Sequence, residues 1–395
     1  MSAGGGSRPR RFDRRGVLRA GAGLAVLAIA GCGDDDEVAQ DATQVPTPDS
    51  VPTQAPIGSP VPGYVDVAEK WTGRTLTIAG LGGAYQSAQD EAFFKPFAEA
   101  TGVDIALDAA SIGGLTDQVD DEAVTWDVVD LPTDRVRTLS SADYLSAIDT
   151  LLVDTSPLFP EIVGQYAIGA AFFSTVIVYP AAANPPAGWV DFWDPARFPG
   201  QRALRKTPIG TMEFALLADG VAPDDLYPLD EERAFRSLDR IKPYVASWYE
   251  DGKQPVELIA NAEVALASAW NDRAELLDLD EVVRVQWRGG MLSSQSWVVP
   301  RGAPNADVAM DFVNFATRAV PNANFARLVP FGPVNRDAFA LLRPDRLASL
   351  PSAPDHLAVQ FLENGNFWAE NLDRLQERFD DWVIEELPET PEGEG

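Results

Sequence analysis

From Trp71 onward, short apolar runs alternate with segments whose apolar positions recur at helical spacing. "RTLTIAG" (74–80) predicts a buried strand. "AYQSAQDEAFFKPFAEATG" (84–102) predicts a helix closed by Gly102, with Pro96 expected to kink it because proline lacks the N–H of the ladder. "VDIALDA" (103–109) predicts the next strand, and strand, helix, strand favours a parallel pair. The alternation recurs at "WDVVDL" (126–131), "AAFFSTVIVYP" (170–180), "RALRKT" (202–207) with the helical "TMEFALLADG" (211–220), and "EVALASAW" (263–270) after the helical "PVELIAN" (255–261). Two further strands are expected at "VVRVQW" (282–287) and "SWVVP" (296–300), then a helix over Ala306 to Arg318. Beyond "FGPVN" (331–335) the chain reads as helical, most clearly in the amphipathic segment 366–387. The Pro-rich stretch from Pro180 to Gly200 is a natural place to leave one sheet and begin another, so the pattern predicts two α/β lobes.

The N-terminal region follows another logic. Six arginines, Arg8, Arg10, Arg11, Arg14, Arg15 and Arg19, precede an apolar run from Ala20 to Ala30, which is too short for a permanent span of roughly 20 residues. Arg14-Arg15-Gly16-Val17-Leu18-Arg19 is similar to a twin-arginine export signal. "LAIAGC" (27–32) resembles a bacterial lipobox, which makes Cys32 the expected lipidation site and mature N-terminus, followed at once by acids. The acidic and then Pro-rich stretch that follows has too little apolar surface to fold and is expected to be an extended tether.

Composition narrows the chemistry. With 46% hydrophobic residues in 395, the folded body can bury a large core. One cysteine excludes an internal disulfide, and a single histidine, His356, excludes zinc sites of several Cys and His ligands and the usual imidazole-dependent catalytic arrangements unless His356 itself serves. His356, in "SAPDHLAV", is expected to be structural or exposed. A net charge of −29, which loss of residues 1–31 would take to −34, argues against nucleic acid as a partner. No GxSxG, SxxK, Walker A or HExxH pattern occurs, so no catalytic residue, metal site or cofactor is expected.

Two features invite a ligand. Gly80-Leu81-Gly82-Gly83 lies between a strand and a helix, but the dinucleotide fingerprint needs a glycine where Tyr85 stands, so a tight turn beside some other ligand, or a plain turn, remains. Most of the ten tryptophans are expected in the core. Trp270 differs, because it ends an apolar strand and meets "NDR", at the strand end where α/β ligands gather.

The ordered blocks "LTIAGLGGAYQSAQDEAFFKPFAEATGVDI", "WDVVDL", "GWVDFWDPARFPGQRAL", "ALASAWNDRA", "GGMLSSQSWVVPRGAPN" and "VPFGPVNRDAF" resemble bacterial extracellular solute-binding proteins of ABC importers, in the spermidine/putrescine-binding branch. The resemblance implies a type II-like two-lobe α/β fold with a hinge of crossing strands, closing on a small solute and presenting it to a membrane permease. Together with the N-terminal reading, the expected organisation is a signal peptide at 1–31, a tether at 32–71, a first lobe at 72–176 and 293–345, a second at 177–292, and C-terminal helices with an acidic tail at 346–395. The expected protein is lipid-anchored, extracytoplasmic and monomeric, without catalysis.

In polyamine binders, aromatic rings flank the methylenes and carboxylates bind the ammonium groups. By this resemblance the ligand-binding positions are Tyr85, Asp130, Thr207, Gly210, Trp270 and Gln295. Thr207, Gly210 and Gln295 stand where polyamine binders carry acids, and an ammonium desolvated without a carboxylate costs several kcal/mol. Asp130 or Asp272 could compensate from nearby. The expected ligand is thus a small polar solute, polyamine-like or other. Alternatives of another class are a solute-sensing partner of a membrane receptor and a carboxylate-only enzyme on the same scaffold.

Overall fold

The computed structural model describes residues 59–385 apart from 66 and 68. Its strands are β1 (Thr75–Gly80), β2 (Asp104–Ala109), β3 (Val128–Pro132), β4 (Ile168–Pro180), β5 (Arg202–Arg205), β6 (Val245–Tyr249), β7 (Leu266–Trp270), β8 (Val283–Val298) and β9 (Phe361–Leu362). Instead of the two sheets expected from the Pro180–Gly200 break, they form one sheet in the order β2-β1-β3-β8-β4-β7-β5-β6, with β9 beside β8. The three-stranded ends are parallel within themselves, whereas β8 and β4 at the centre are antiparallel to each other and to their outer neighbours. The two long central strands pass through both halves and pair along most of their length, with register shifts between Gly169 and Ala171 and between Thr175 and Ile177.

The two strands expected at 282–287 and 296–300 are likewise one, β8. Its pairing with β4 jumps from Thr175↔Met291 to Ile177↔Gln286, so residues 287–290 bulge out. Gly289 takes φ 74 there. Its N–H donates to the Val359 carbonyl and its own carbonyl accepts from Trp189 Nε1 at 2.8 Å. An added Cβ would lie 2.8 Å from the Trp189 ring, so the bulge requires glycine.

The core is divided. Phe93, Phe94, Phe97, Phe172, Trp297, Phe312 and Phe315 pack in one half. Trp189, Phe214, Leu238, Trp368, Phe379 and Trp382 pack in the other, the last three from the helix Gly365–Ile384. The helix predicted at 84–102 is Gly83–Gln89, a π-helical turn over Asp90–Phe94, and Lys95–Thr101, closed by left-handed Gly102. The wider turn lies immediately before Pro96, which has no N–H to donate.

Two further readings are corrected. The tether was expected to reach residue 71, but Val61 and Tyr64 are buried, Tyr64 edge-on to Phe315, with its hydroxyl donating to Asp311 Oδ1 at 2.8 Å. Lys70 and Trp71 donate to the same carboxylate, so the folded body begins before Trp71. The region after Asn335, read as wholly helical, contains short helical turns and then β9. The signal, Cys32 and the tether up to 58 lie outside the described residues.

Candidate functional site

The parallel strands of both halves deliver their C-terminal ends to one cleft of about 680 Å³. The loop after β1 contributes Leu81 to Tyr85, the turn after β3 contributes Thr133 and Asp134, the end of β5 contributes Arg205 and Thr207, and the end of β7 contributes Trp270, Asp272 and Arg273. The central strands form the floor with Phe173, Thr175, Met291 and Ser293 to Gln295, and Glu363 enters directly after β9.

Tyr85, Thr207, Trp270 and Gln295 therefore come together in the cleft, while Asp130 and Gly210 do not line it. Asp130 is fully buried behind Tyr85; its Oδ2 accepts from Gln89 Nε2 at 2.7 Å, and burial pushes its carboxyl up to about 7. Its other oxygen and the Tyr85 hydroxyl are buried against each other, and Gln295 Oε1 is buried without a hydrogen-bond partner. Gly210 supports the opposite wall: its φ of 79, with Ile209 at ψ 123, bends the chain at the start of the helix Pro208–Ala218. Its N–H donates to Glu213 Oε2 at 2.9 Å, and a Cβ would sit 3.2 Å from both Met291 Cε and the Phe214 ring. Glu213 also accepts from Trp368 Nε1 at 2.8 Å and from the Tyr227 hydroxyl. Burial pushes the Glu213 carboxyl up to about 7.

Trp270 is held in place. Asn271 Oδ1 accepts from the Ser174 N–H at 2.7 Å and its Nδ2 donates to the Pro330 carbonyl at 2.8 Å, fixing the end of β7 against β4. Gly252 allows the backbone against the ring, where a Cβ would be 2.7 Å away. Two guanidinium groups lie over the indole, Arg205 at 4.8 Å and Arg273 at 4.7 Å from its centroid. Each such contact contributes roughly 0.5–2 kcal/mol, more as water is excluded. Two cations on one ring form a wall that attracts a carboxylate.

Three acids share the cleft with these arginines. Asp272 is buried beside Arg273 at 3.4 Å, and burial raises its carboxyl from the usual range. Asp134 pairs with Arg135 at 3.3 Å. Glu363 accepts from the Ser293 hydroxyl, and burial together with neighbouring Asp134 pushes it up to about 8. Sequence reasoning missed Arg205, Arg273, Asp134 and Glu363. Arg205, Asp134 and Arg273 lie at or within three residues of the C-terminal end of a strand, the same signal that singled out Trp270. Glu363 follows a two-residue strand that no periodicity reveals. His356 stacks on Trp287 at 4.1 Å and its Nδ1 contacts the Leu350 carbonyl, a packing role outside the cleft.

A family profile described as bacterial extracellular solute-binding protein matches residues 92–354. The chain belongs to this family. A curated relative, the gamma-aminobutyric acid-binding protein of Pseudomonas aeruginosa, is 31% identical over 78% of this chain and 91% of its own length. A solved GABA receptor structure is 35% identical, covers 80% of this chain and 99% of its own, and superposes with a TM-score of 0.73. The spermidine/putrescine-binding periplasmic protein of Escherichia coli is more distant, 25% identical over 61% of this chain and 72% of its own length. This solute-binding protein is thus an extracytoplasmic component of an ABC transporter that binds a small solute for delivery to a permease, and not an enzyme.

Proposed function

We propose that the solute is a small zwitterion carrying a carboxylate and an ammonium group a few methylenes apart, with gamma-aminobutyrate (GABA) as the representative member. The observation that carries this reading is the pair Arg205 and Arg273 over Trp270, in a cleft that also holds Asp134 and Glu363. The guanidinium groups take the carboxylate, the acids take the ammonium, and Tyr85, Phe173 and Trp270 flank the methylenes. Gln295 and Thr207 offer neutral hydrogen bonds along the cleft, with Asp130 and Gly210 supporting the walls from behind. A dication would meet two guanidinium groups where it needs acids, which disfavours a polyamine. The names of the two GABA-binding relatives support the same class.

Both halves contribute to the lining, so a bound solute stabilises the form in which they close around it. The permease then receives a closed, loaded, monomeric protein. Twin-arginine export and lipidation of Cys32 would keep that protein at the membrane on its Pro-rich tether, and Cys32→Ala should release it into the soluble fraction. A thermal-shift panel tests the ligand class: at about 100 times its Kd a ligand stabilises by about 2.7 kcal/mol. GABA should raise the unfolding midpoint and putrescine should not; the reverse result overturns the reading.

A further inference from the structure

The turn that follows β7 belongs to one half by its strand and to the other by its contacts. β7 pairs with β5 in the second half, and Trp270 at its end and Asp272 and Arg273 just beyond line the cleft. Yet this turn is fastened to the first half at three points. Asn271 Nδ2 donates to the Pro330 carbonyl at 2.8 Å. Leu276, the last residue of the short helix Arg273–Leu276, packs against the first-half core. Glu275 on the same helix accepts from Arg346 Nη1 with both carboxylate oxygens, at 2.9 and 2.7 Å.

Arg346 is itself held firmly. It lies on the short helix Pro344–Leu347, which packs beside the helix Ala319–Leu328, and its Nε donates to the Ala326 carbonyl there at 2.6 Å. Its side chain is 17% exposed, and its Nη2 is buried without a hydrogen-bond partner. Among the described residues Glu275 is the carboxylate that balances this guanidinium. A second ion pair joins the halves, Arg137 with Glu370, but those side chains are 46% and 62% exposed and neither lines the cleft. Exposed pairs contribute little, whereas breaking a shielded one leaves a charge without compensation.

Resting on the zwitterion reading, we propose that Glu275 and Arg346 are positioning residues of the solute site, holding Arg273 and Trp270 in place from outside the cleft. Neither of them lines the cleft, so they act through the turn. Glu275 stands two residues from Arg273 on one helical turn. While its carboxylate is clamped to Arg346, that turn is fixed against the first half, and the Arg273 guanidinium keeps its place over the indole. A solute carboxylate then meets a guanidinium that is already ordered, and less conformational freedom is lost on binding.

The test compares three variants of the purified protein by calorimetric titration with GABA and by the unfolding midpoint without solute. Glu275→Gln keeps the shape and removes the charge; it should weaken GABA binding about 10-fold with the solute-free midpoint nearly unchanged, because the loss falls on the order of the turn. Arg346→Lys keeps the charge but cannot serve the Ala326 carbonyl and Glu275 together. It should weaken binding by about threefold, which gives a second reading if Glu275→Gln fails to fold. Arg137→Ala breaks the other pair between the halves and should leave GABA affinity within about twofold of wild type. Unchanged affinity in Glu275→Gln and Arg346→Lys, with or without a lowered midpoint, or an equal loss in Arg137→Ala, overturns this proposal and leaves the zwitterion reading standing. No GABA binding by the wild type overturns both.

Discussion

The two walls of the cleft differ in charge and in how each is supported. On the second half, Arg205, Lys253 and Arg273 outnumber Asp272, and the wall is positive. On the first half, Asp134 and Arg135 offset each other and the rest is Tyr85, Thr133 and glycine-rich backbone. Behind each wall lies a fully buried carboxyl. Glu213 behind the positive wall uses both oxygens, accepting from Gly210, Tyr227 and Trp368. Asp130 behind the neutral wall accepts from Gln89 on one oxygen and faces the Tyr85 hydroxyl with the other. The contrast teaches that the cleft departs from the rest of the chain: 60 acidic residues against 31 basic ones overall surround a wall built of arginine. Bulk charge describes the surface, and the ligand reads the wall.

Removing the positive wall should have the largest effect. Arg205→Ala is expected to weaken GABA binding by on the order of 100-fold or more, because truncating one side of a desolvated charge pair costs about 2–5 kcal/mol. Calorimetry checks this, and a loss under about threefold would mean that the two walls do not differ in role.

The two buried carboxyls should separate next. Glu213→Leu leaves the Gly210 N–H, the Trp368 Nε1–H and the Tyr227 hydroxyl without an acceptor and should destabilise the fold by about 2–4 kcal/mol. Asp130→Asn keeps a shape-matched polar group against Gln89 and should change stability by less than about 1 kcal/mol. Denaturant unfolding of both variants measures the difference, and equal losses would erase it.

The smallest effect is on the pH profile of the solute-free protein. Asp130 and Glu213 are pushed up to about 7, and Glu363 to about 8, all above their ordinary range near 4. An acid raised in the folded state binds its proton more tightly there than when unfolded. These groups therefore favour the fold at low pH, and that contribution is lost as pH rises from about 4.5 through 8. The melting midpoint should fall modestly across this window, and less steeply in Asp130→Asn. A midpoint rising with pH over the same range would contradict the account.

Much of the architecture could be read in the apolar periodicity because buried parallel strands write continuous runs such as "TLTIAG" and "EVALASAW". The single sheet could not, since whether β4 and β8 pair across the junction depends on register over more than 100 residues of separation. The site divides in the same way. Trp270 is marked by an apolar strand that stops at a polar triplet. Arg205 and Arg273 also lie at or near strand ends, but only the fold brings both over one indole. Glu363 was hidden because β9 is held by pairing with Met291 and Leu292 of β8 rather than by any pattern of its own.

The central claim, that the cleft reads a carboxylate and an ammonium at once, is tested most directly by calorimetric comparison of GABA with butyrate, butylamine and putrescine on the purified protein. The account predicts saturable binding of GABA and at least about 100-fold weaker binding of the three that lack one of its charges or carry two ammonium groups. Putrescine binding as tightly as GABA would contradict it.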